Sequence, residues 1–286
     1  MQVYLRPHTL SAELCTSISI TTCLLLGYYG CKPMNISVAI AMPVYNESDG
    51  IQETLELLDD AFSLAGIRTE LFIQNDVSTD ETLLVIEGLR NNLKMSVSIE
   101  TNQSNMGHGP TTWRAYNRAA QSGHQVVLQL DSDGQFNPVQ IPPLVNLCSN
   151  EGKIVMGNRR ARTDPWFRKL ITMALRIYLR FRFQLRCSDP NTPVRAYPSR
   201  ILQILLADVP SNPLIPNIYL ALSASERNFA LIEVPIEHRA RRGTSATGTM
   251  WSRENIRLVF VPRRLIKFCR LAFLELRTFK KDRGSR

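Results

Sequence analysis

The segment Val127–Leu130 is almost entirely apolar and leads directly into two acidic residues, Asp131 and Asp133. An apolar run of this length followed by polar residues predicts a buried strand. Residues i and i+2 of an extended segment point the same way, so both carboxylates can face one ligand. Without a partner they would repel each other and lose hydration, whereas Mg²⁺ or Mn²⁺ would remove both costs. The alternative interpretation is a polar turn with a helix cap beyond it.

Strands and helices alternate along the first half of the chain. Each apolar, β-branched run is followed by a segment with apolar residues at helical spacing. We expect two of the helices to begin at capping boxes, one formed by Asp49 and Gln52 and the other by Ser78 and Glu81. The alternation predicts an α/β fold with right-handed crossovers and a mostly parallel, doubly wound sheet. The predicted strands are Ile36–Met42, Glu70–Gln74, Met95–Glu100 and Gln125–Leu130.

Polar loops follow three of these strands, at Pro43–Glu47, Asn75–Asp80 and Asp131–Gln135. Ligands of a mostly parallel sheet bind beyond the carboxyl ends of its strands. We therefore expect the three loops to converge on one edge of the sheet. Three polar loops at one edge favour a ligand site over a set of plain turns.

The alternation weakens after residue 150, although further elements can still be predicted. Three prolines, Pro190, Pro193 and Pro198, interrupt this half of the chain. Apolar spacing predicts a short strand, an amphipathic helix rich in arginine, two more helices and a final strand. These elements are Ile154–Gly157, Trp166–Phe183, Ser199–Leu206, Pro216–Ser225 and Phe229–Val234.

The formal net charge is +9, and most of the excess lies in Arg159–Arg186 and from Arg239 to the C-terminus. Basic clusters attract nucleic acid, acidic lipid or phosphorylated substrates. The sequence has no zinc-finger or aromatic RNA-binding motif, so we expect no nucleic acid partner. Phosphate-bearing substrates and an anionic membrane surface are favoured instead. The six cysteines form no C-x-x-C pair, which is typical of free thiols in a reducing compartment.

Residues 14–31 carry no charge but are diluted by serine, threonine and cysteine. Their length is at the lower limit for a helix that spans a membrane. Three interpretations remain open: a non-folded leader ahead of Met34, a weak membrane anchor, or an extra helix. We therefore treat residues 1–33 as a leader or weak membrane anchor.

Six short motifs follow one another between Ile36 and Ser245. In this order they resemble the family-2 inverting glycosyltransferases of GT-A fold, and most closely the dolichyl-phosphate mannose synthase type. The resemblance implies a GT-A domain over residues 34–250 and a basic amphipathic tail over residues 251–286. The motifs are Pro43–Glu47 (P-x-Y-N-E), Asn75–Asp80 (a variant of D-D-G-S-x-D), Asn105–Gly109 (N-x-G-x-G), Asp131–Gln135 (D-x-D-x-Q), Gly157–Arg159 with Arg168, and Asp189–Arg195.

The resemblance implies a nucleotide-sugar donor and a divalent metal ion, Mg²⁺ or Mn²⁺. Asp133 and Gln135, with Asp131 beside them, would ligate the metal that bridges the donor diphosphate, and Arg242 would neutralise that diphosphate. Carboxylate and amide oxygens are hard ligands that suit these ions. The residues implied to hold the nucleotide sugar are Pro43, Tyr45, Glu47, Asp76, Asp131, Ser132, Asp133, Gln135 and Arg242.

The resemblance also implies an acceptor side, where Arg159 and Arg168 would bind an acceptor phosphate. A sugar hydroxyl needs a general base, and Asp189 is the one acid in a matched motif that could act as one. A phosphate monoester is already ionised near neutral pH and needs no base. The arginine-rich acceptor half therefore favours a polyprenyl (dolichyl-type) phosphate. With Asp133 on the donor side, Arg159 and Asp189 complete the predicted catalytic set.

Two departures from the family pattern affect the nucleobase pocket. Asn75 replaces the first acid of the D-D-G-S turn, and Val77 replaces its glycine. Glycine normally permits a positive φ there, which is costly for a β-branched residue. Two alternatives stay open. One is transfer to a hydroxyl of a glycan or cell-surface polysaccharide precursor, with Asp189 as the base. The other, which Asn75 and Val77 make conceivable, is a non-catalytic relative that binds nucleotide sugars.

Two basic amphipathic segments, residues 166–183 and 256–279, are typical of helices that lie on an anionic membrane surface without spanning it. The alternative is that each packs against the core with its charges in water. With the free thiols, this pattern predicts a cytoplasmic protein that is peripheral on the cytoplasmic face of a membrane. The oligomeric state is not predicted.

Overall fold

A computed structural model describes residues 36–160, 166–185, 187–239 and 263–279. For residues 160, 166–169 and 278, only the backbone is described. The predicted leader, residues 1–33, and Arg242 lie outside the described residues. Of the predicted tail, residues 251–286, the structure describes one helix and the residue that follows it.

Seven strands and eight α-helices make up the described chain. The strands are β1 (Ser37–Val44), β2 (Arg68–Asn75), β3 (Ser96–Thr101), β4 (Val126–Gln129), β5 (Ile154–Arg160), β6 (Arg195–Pro198) and β7 (Leu231–Glu237). The helices are α1 (Ile51–Leu64), α2 (Thr82–Leu89), α3 (His108–Gln121), α4 (Ile141–Glu151), α5 (Trp166–Phe183), α6 (Ser199–Leu206), α7 (Pro216–Glu226) and α8 (Arg263–Thr278).

The seven strands form one sheet in the order β3-β2-β1-β4-β6-β5-β7. All neighbouring pairs are parallel except those that involve β6, which runs antiparallel to both β4 and β5. The carboxyl ends of the six other strands and the start of β6 therefore lie at the same edge of the sheet. This confirms the predicted α/β fold with a mostly parallel sheet.

Helices cover both faces of the sheet, as a doubly wound fold requires. In β1 the larger residues Val38, Ile40 and Met42 pack on one face, and Ala39 and Ala41 pack on the other. The small alanine side chains let α3 lie close to the strand. One core joins α1, α2 and α4 to the sheet, and the second joins α3, α5, α6, α7 and α8 to it.

The expected elements are present, and the predicted helix starts at Trp166, Ser199 and Pro216 are confirmed. The two predicted capping boxes are wrong. The N-cap of α1 is Gly50, and no side chain makes its cap hydrogen bond. Helix α2 begins at Thr82 rather than near Ser78. The Ser78 hydroxyl donates instead to Asn75 Oδ1 at 2.6 Å, because the turn after β2 uses it. Among the described residues, no helix is long and apolar enough to cross a lipid bilayer.

Candidate active site

The loops after β1 and β2 are tied to each other by side-chain hydrogen bonds. Asn46 accepts the Thr79 N–H at 2.8 Å, and its own N–H donates to the Ser78 hydroxyl at 3.1 Å. Asn75 is fully buried, and its Oδ1 accepts the Ser78 N–H at 3.1 Å. Val77 adopts φ 61°, so the turn keeps the left-handed conformation that glycine favours. The two departures from the family pattern therefore leave a closed turn with one strained residue.

The Asp80 carboxylate supports the start of α2 beside this turn. It accepts hydrogen bonds from the Thr82 N–H and hydroxyl and from the Ser48 N–H. Burial alone would raise the pKa of Asp80, but these hydrogen bonds hold it below its usual value. Thr82 also accepts the Glu47 N–H at 2.8 Å, which fixes the backbone of the first loop.

The Asp76 carboxylate is buried and bound to the loop that precedes α3. It accepts the N–H groups of Met106 and Gly107, each at 2.8 Å, and Asn102 Nδ2 at 2.8 Å. Because these contacts engage both carboxylate oxygens, Asp76 joins the second and third motifs. The resemblance implied that Asp76 holds the nucleotide; in the structure its carboxylate binds the backbone of the loop before α3.

The predicted acidic pair lies at the carboxyl end of β4, with Ser132 buried between the two acids. The Asp131 side chain is 26% exposed, and Asp133 and Gln135 are half-buried. Asp133 Oδ1 accepts the Gln135 N–H at 3.1 Å, which folds the D-x-D-x-Q segment into a tight turn. The three predicted metal ligands are therefore brought together at one accessible turn.

This donor set fits a metal ion that takes some of its ligands from the protein and the others from a diphosphate. The described residues include no cluster of three or more His, Cys, Asp or Glu side chains that could hold a metal alone. Mg²⁺ usually keeps one or two carboxylates and takes its remaining oxygens from substrate phosphates and water. Two carboxylates and one amide oxygen at a half-buried turn match that requirement.

His108 is the first residue of α3 and faces the acidic pair. Its Nε2 atom lies 3.7 Å from Asp131 Oδ1, and its side chain is 63% exposed. The resemblance gave this position no role. The N-cap Gly107 has φ 86°, a conformation that residues with a side chain rarely adopt. The third motif thus brings the start of α3 to the same edge.

The end of β7 also reaches the acidic turn. Phe136 pairs with His238 in an isolated antiparallel bridge, and the Arg239 N–H donates to the Gln135 carbonyl at 3.2 Å. Arg242 follows three residues later, outside the described residues. The structure therefore describes the chain as far as Arg239, which contacts Gln135 and lies three residues before Arg242.

On the acceptor side, Arg159 and Asp189 form a two-point ion pair. Arg159 Nε and Nη2 donate to the two Asp189 oxygens at 2.7 and 3.1 Å. The side chains are only 12% and 8% exposed. Arg159 lies near the carboxyl end of β5, at the same edge of the sheet as Asp131. Arg168 is part of α5, but its side chain is not described.

The segment that carries Asp189 is also anchored to β7. Glu233 accepts hydrogen bonds from the Ser188 N–H and hydroxyl, each at 2.6 Å, and from the Cys187 thiol at 3.2 Å. Burial raises the pKa of the Cys187 thiol to about 12, so this cysteine stays protonated at neutral pH. The thiol serves as a hydrogen-bond donor rather than as a nucleophile.

Sequence reasoning gave no role to Gln129, although a signal was present. It is the one polar residue within β4, and it precedes Asp131 by two positions, so both side chains point the same way. Its Nε2 donates to Asp131 Oδ1 at 3.0 Å. Asn217 on α7, which donates to Gln129 Oε1 at 3.3 Å, was also missed. Its helix gave no sign in the sequence of approaching β4.

A family model described as Glycosyl transferase family 2 matches residues 39–204, which is more than half of the chain. The match covers the first four motifs and extends through Asp189–Arg195. It therefore includes the acidic turn and the Arg159–Asp189 pair.

The chain is also similar to curated transferases. It is 29% identical over 216 residues to the undecaprenyl-phosphate 4-deoxy-4-formamido-L-arabinose transferase of Edwardsiella ictaluri, covering 74% of this chain and 63% of that protein. With the enzyme of the same name from Proteus mirabilis it is 28% identical over 205 residues, covering 71% and 60%. The matched region thus spans less than two thirds of these relatives.

Solved structures share the fold at low sequence identity. Glucosyl-3-phosphoglycerate synthase from Mycobacterium tuberculosis, in complex with Mn²⁺ and UDP-glucose, has a TM-score of 0.56 at 18% identity, covering 86% of this chain and 79% of that chain. Mannosyl-3-phosphoglycerate synthase from Rubrobacter xylanophilus has a TM-score of 0.57 at 15% identity, covering 93% and 79%. These neighbours confirm the expected GT-A fold. With the family match over more than half of its length, the chain belongs to glycosyl transferase family 2.

Proposed function

We propose that this chain transfers a sugar, with inversion, from a nucleoside-diphosphate sugar to a polyprenyl phosphate. The observation that carries the proposal is the Arg159–Asp189 ion pair at the same edge of the sheet as the acidic turn. The names of the curated relatives, which are undecaprenyl-phosphate sugar transferases, support the class of acceptor.

On the donor side, Asp131, Asp133 and Gln135 would hold Mg²⁺ or Mn²⁺ together with the donor diphosphate. The bound cation supplies Lewis-acid stabilisation of the leaving nucleoside diphosphate. The metal complexes of two structural neighbours, one with Mn²⁺ and one with Mg²⁺, support a divalent ion. Arg242 would add a positive charge to the diphosphate, since the chain leading to it contacts Gln135.

The nucleoside would lie against the loops after β1 and β2. Tyr45 is half-buried and can pack against the nucleoside, with Pro43, Glu47 and Ser132 as the other proposed contacts. The Asp76 carboxylate acts through the backbone of the loop before α3, because its oxygens already accept two N–H groups from that loop. We place Asp76 in a positioning role for that reason.

On the acceptor side, the Asp189 carboxylate accepts hydrogen bonds from Nε and Nη2 of Arg159. The other edge of the guanidinium, which includes Nη1, has the geometry to receive a second anion. A phosphate monoester suits that edge and needs no general base. An Asp189 base for a hydroxyl acceptor would have to act while its two oxygens accept from Arg159. The pair therefore favours the phosphate acceptor, with Arg168 as a second contact.

A polyprenyl acceptor resides in a membrane, so we also propose that the protein binds an anionic membrane surface at the cytoplasmic side. Helix α5 carries Leu170, Met173, Ile177 and Phe181 as an exposed apolar stripe. Helix α8 packs beside it through the Tyr178–Phe273 ring contact and exposes further apolar residues among its basic ones. Exposed apolar side chains among arginines are typical of interfacial helices.

The function is tested by donor turnover with the purified protein. A panel of UDP-, GDP- and TDP-sugars is incubated with Mn²⁺, with and without a short polyprenyl phosphate. We expect nucleoside diphosphate release only with the lipid phosphate, and we expect Asp133→Ala and Arg159→Ala each to abolish it.

Two other outcomes would change the conclusion. Slow release of nucleoside diphosphate that does not depend on the lipid phosphate but is abolished by Asp133→Ala would indicate a hydroxyl acceptor. If the protein neither releases nucleoside diphosphate nor binds nucleotide in a metal-dependent way, the chain has no transferase activity. Arg227→Ala serves as the control, since Arg227 forms a comparable ion pair with Asp208 between α6 and α7.

A further inference from the structure

A cluster of polar side chains lies fully buried beneath the proposed donor and acceptor sites. Its members come from α3, β4, β6, α7 and the loop before β6, and none is more than 5% exposed. Buried polar groups are costly unless they are hydrogen-bonded, so such a cluster requires a specific arrangement. The members are Tyr116, Gln129, Thr192, Arg195 and Asn217.

Gln129 connects this cluster to the acidic turn. Its Nε2 donates to Asp131 Oδ1 at 3.0 Å, while its Oε1 accepts Asn217 Nδ2 at 3.3 Å. The Tyr116 hydroxyl lies 3.4 Å from the same Oε1. Reversing the Gln129 amide would place its Nε2 next to Asn217 Nδ2, which are both donors. It would also place its Oε1 next to Asp131 Oδ1, which are both acceptors. The orientation of Gln129 is therefore fixed, and with it the position of Asp131 Oδ1.

Asn217 connects the same cluster to the acceptor side. Its Nδ2 also donates to the Thr192 carbonyl at 3.4 Å, and its Oδ1 accepts the Tyr116 hydroxyl at 2.9 Å. Thr192 belongs to the loop that begins with Asp189, whose carbonyl accepts the Thr192 N–H at 3.2 Å. A hydrogen-bonded path thus runs from Asp131 to the loop that carries Asp189.

Arg195 binds both the loop that carries Asp189 and the start of α7. Its guanidinium donates to the Thr192 carbonyl at 2.7 Å, to the Asn217 carbonyl at 2.9 Å and to the Pro190 carbonyl. Within the described part of the chain, its hydrogen bonds go to neutral oxygens, including the Tyr197 hydroxyl. A buried cation with neutral partners creates a positive potential below the site. That potential favours the anionic groups of both substrates.

We infer that Gln129 and Asn217 are positioning residues that set the Asp131 carboxylate for the metal–diphosphate and fix its place relative to the acceptor loop. The inference rests on the proposed function, because it assumes that the acidic turn binds a nucleoside diphosphate with a divalent ion. It predicts that the amide of Gln129 matters through its hydrogen bonds rather than through its volume.

The test uses two variants of Gln129 and one of Asn217. Gln129→Met keeps the volume but removes the hydrogen bonds, and Gln129→Glu places a second negative charge next to Asp131. Asn217→Asp removes the donors to Gln129 and Thr192 without touching Asp131. The control is Gln125→Met, since Gln125 precedes the same strand at the opposite edge of the sheet. Binding of Mn²⁺ with UDP, GDP or TDP is measured by calorimetry, and unfolding of each variant is measured separately.

We expect Gln129→Met to weaken metal–nucleotide binding by about tenfold, the effect of losing its hydrogen bond to the charged Asp131. Asn217→Asp should also weaken binding, because it removes the donor that orients the Gln129 amide. Gln129→Glu should weaken it further, and Gln125→Met should leave it unchanged. Variants that melt earlier but bind as tightly as wild type would show a merely structural role and overturn the inference alone. A wild-type protein that binds none of the three nucleotides would overturn the proposed function as well.

Discussion

At the scale of single residues, Val77 carries backbone strain that its neighbours enforce. Its φ of 61° is unfavourable for a β-branched residue by roughly 1–2 kcal/mol. Val77→Gly relieves that strain but adds about 0.5–1 kcal/mol of unfolded-state entropy. We expect a net stabilisation below about 1 kcal/mol, measured as the midpoint of denaturant unfolding. Val139→Gly is the control, since Val139 is 57% exposed and has no positive φ, and it should destabilise the protein.

The Arg159–Asp189 pair gives a second prediction at this scale. If Asp189 orients Arg159, Asp189→Asn should raise KM for the lipid phosphate by about tenfold or more and leave the pH–rate profile unchanged. If Asp189 were a general base, Asp189→Asn would instead lower kcat by about 10²–10⁴ and remove an acidic limb from the pH–rate profile. Asp208→Asn is the matched control, because Asp208 accepts Nε and Nη2 of Arg227 in the same two-point geometry away from the site.

At the scale of elements, the start of α3 is held against the loop before α7. A Cβ on Gly109 would lie 2.3 Å from the Leu214 carbonyl oxygen and 2.5 Å from that of Pro213. Because both neighbours are backbone atoms, Gly109→Ala should cost about 1–3 kcal/mol and displace His108 from Asp131. The opposite result is expected for Gly88→Ala in α2, where nothing lies within 4 Å. That variant should gain about 0.5–1 kcal/mol in unfolding free energy.

The docking of α8 gives a pH-dependent prediction. Both Glu275 oxygens accept the Leu214 N–H, at 3.1 and 3.2 Å, and burial raises the pKa of Glu275 above its usual 4.5. A raised folded-state pKa adds stability below pH 4.5, and this contribution is lost as pH rises through the folded-state pKa.

Glu275→Gln should therefore gain stability relative to wild type as pH rises from about 4.5 toward 7. Denaturant unfolding at several pH values measures this difference. Glu87→Gln on the exposed side of α2 is the control variant. A constant difference for Glu275→Gln across the range would contradict the assignment of its raised pKa.

At the scale of the whole molecule, the sequence predicted the fold better than the detailed site. Strand and helix alternation depends on local apolar spacing, so the order of β1–α1–β2–α2–β3 could be predicted. Strand β6 was not predicted, because it is short, ends in Pro198 and pairs antiparallel with strands distant in sequence. The Arg159–Asp189 pair and the Gln129–Asn217 contact join residues 30 and 88 positions apart. No local pattern records such contacts, because they depend on how β5, β6 and α7 pack.

The basic side formed by α5 and α8 gives the last prediction. Phe181 is 83% exposed on α5, and burying one such side chain in a membrane is worth about 1.5–3 kcal/mol. Basic residues near an anionic surface add roughly 1 kcal/mol each, and salt screens this contribution. We expect sedimentation with phosphatidylglycerol vesicles that weakens in high salt, and at least a tenfold loss for Phe181→Ser.

The matched control is Leu64→Ser, because Leu64 is 82% exposed but lies at the end of α1 on the other face of the sheet. It should bind the vesicles as wild type does. Equal binding to neutral phosphatidylcholine vesicles would contradict an electrostatic contribution. Equal losses for Phe181→Ser and Leu64→Ser would contradict a surface confined to α5 and α8.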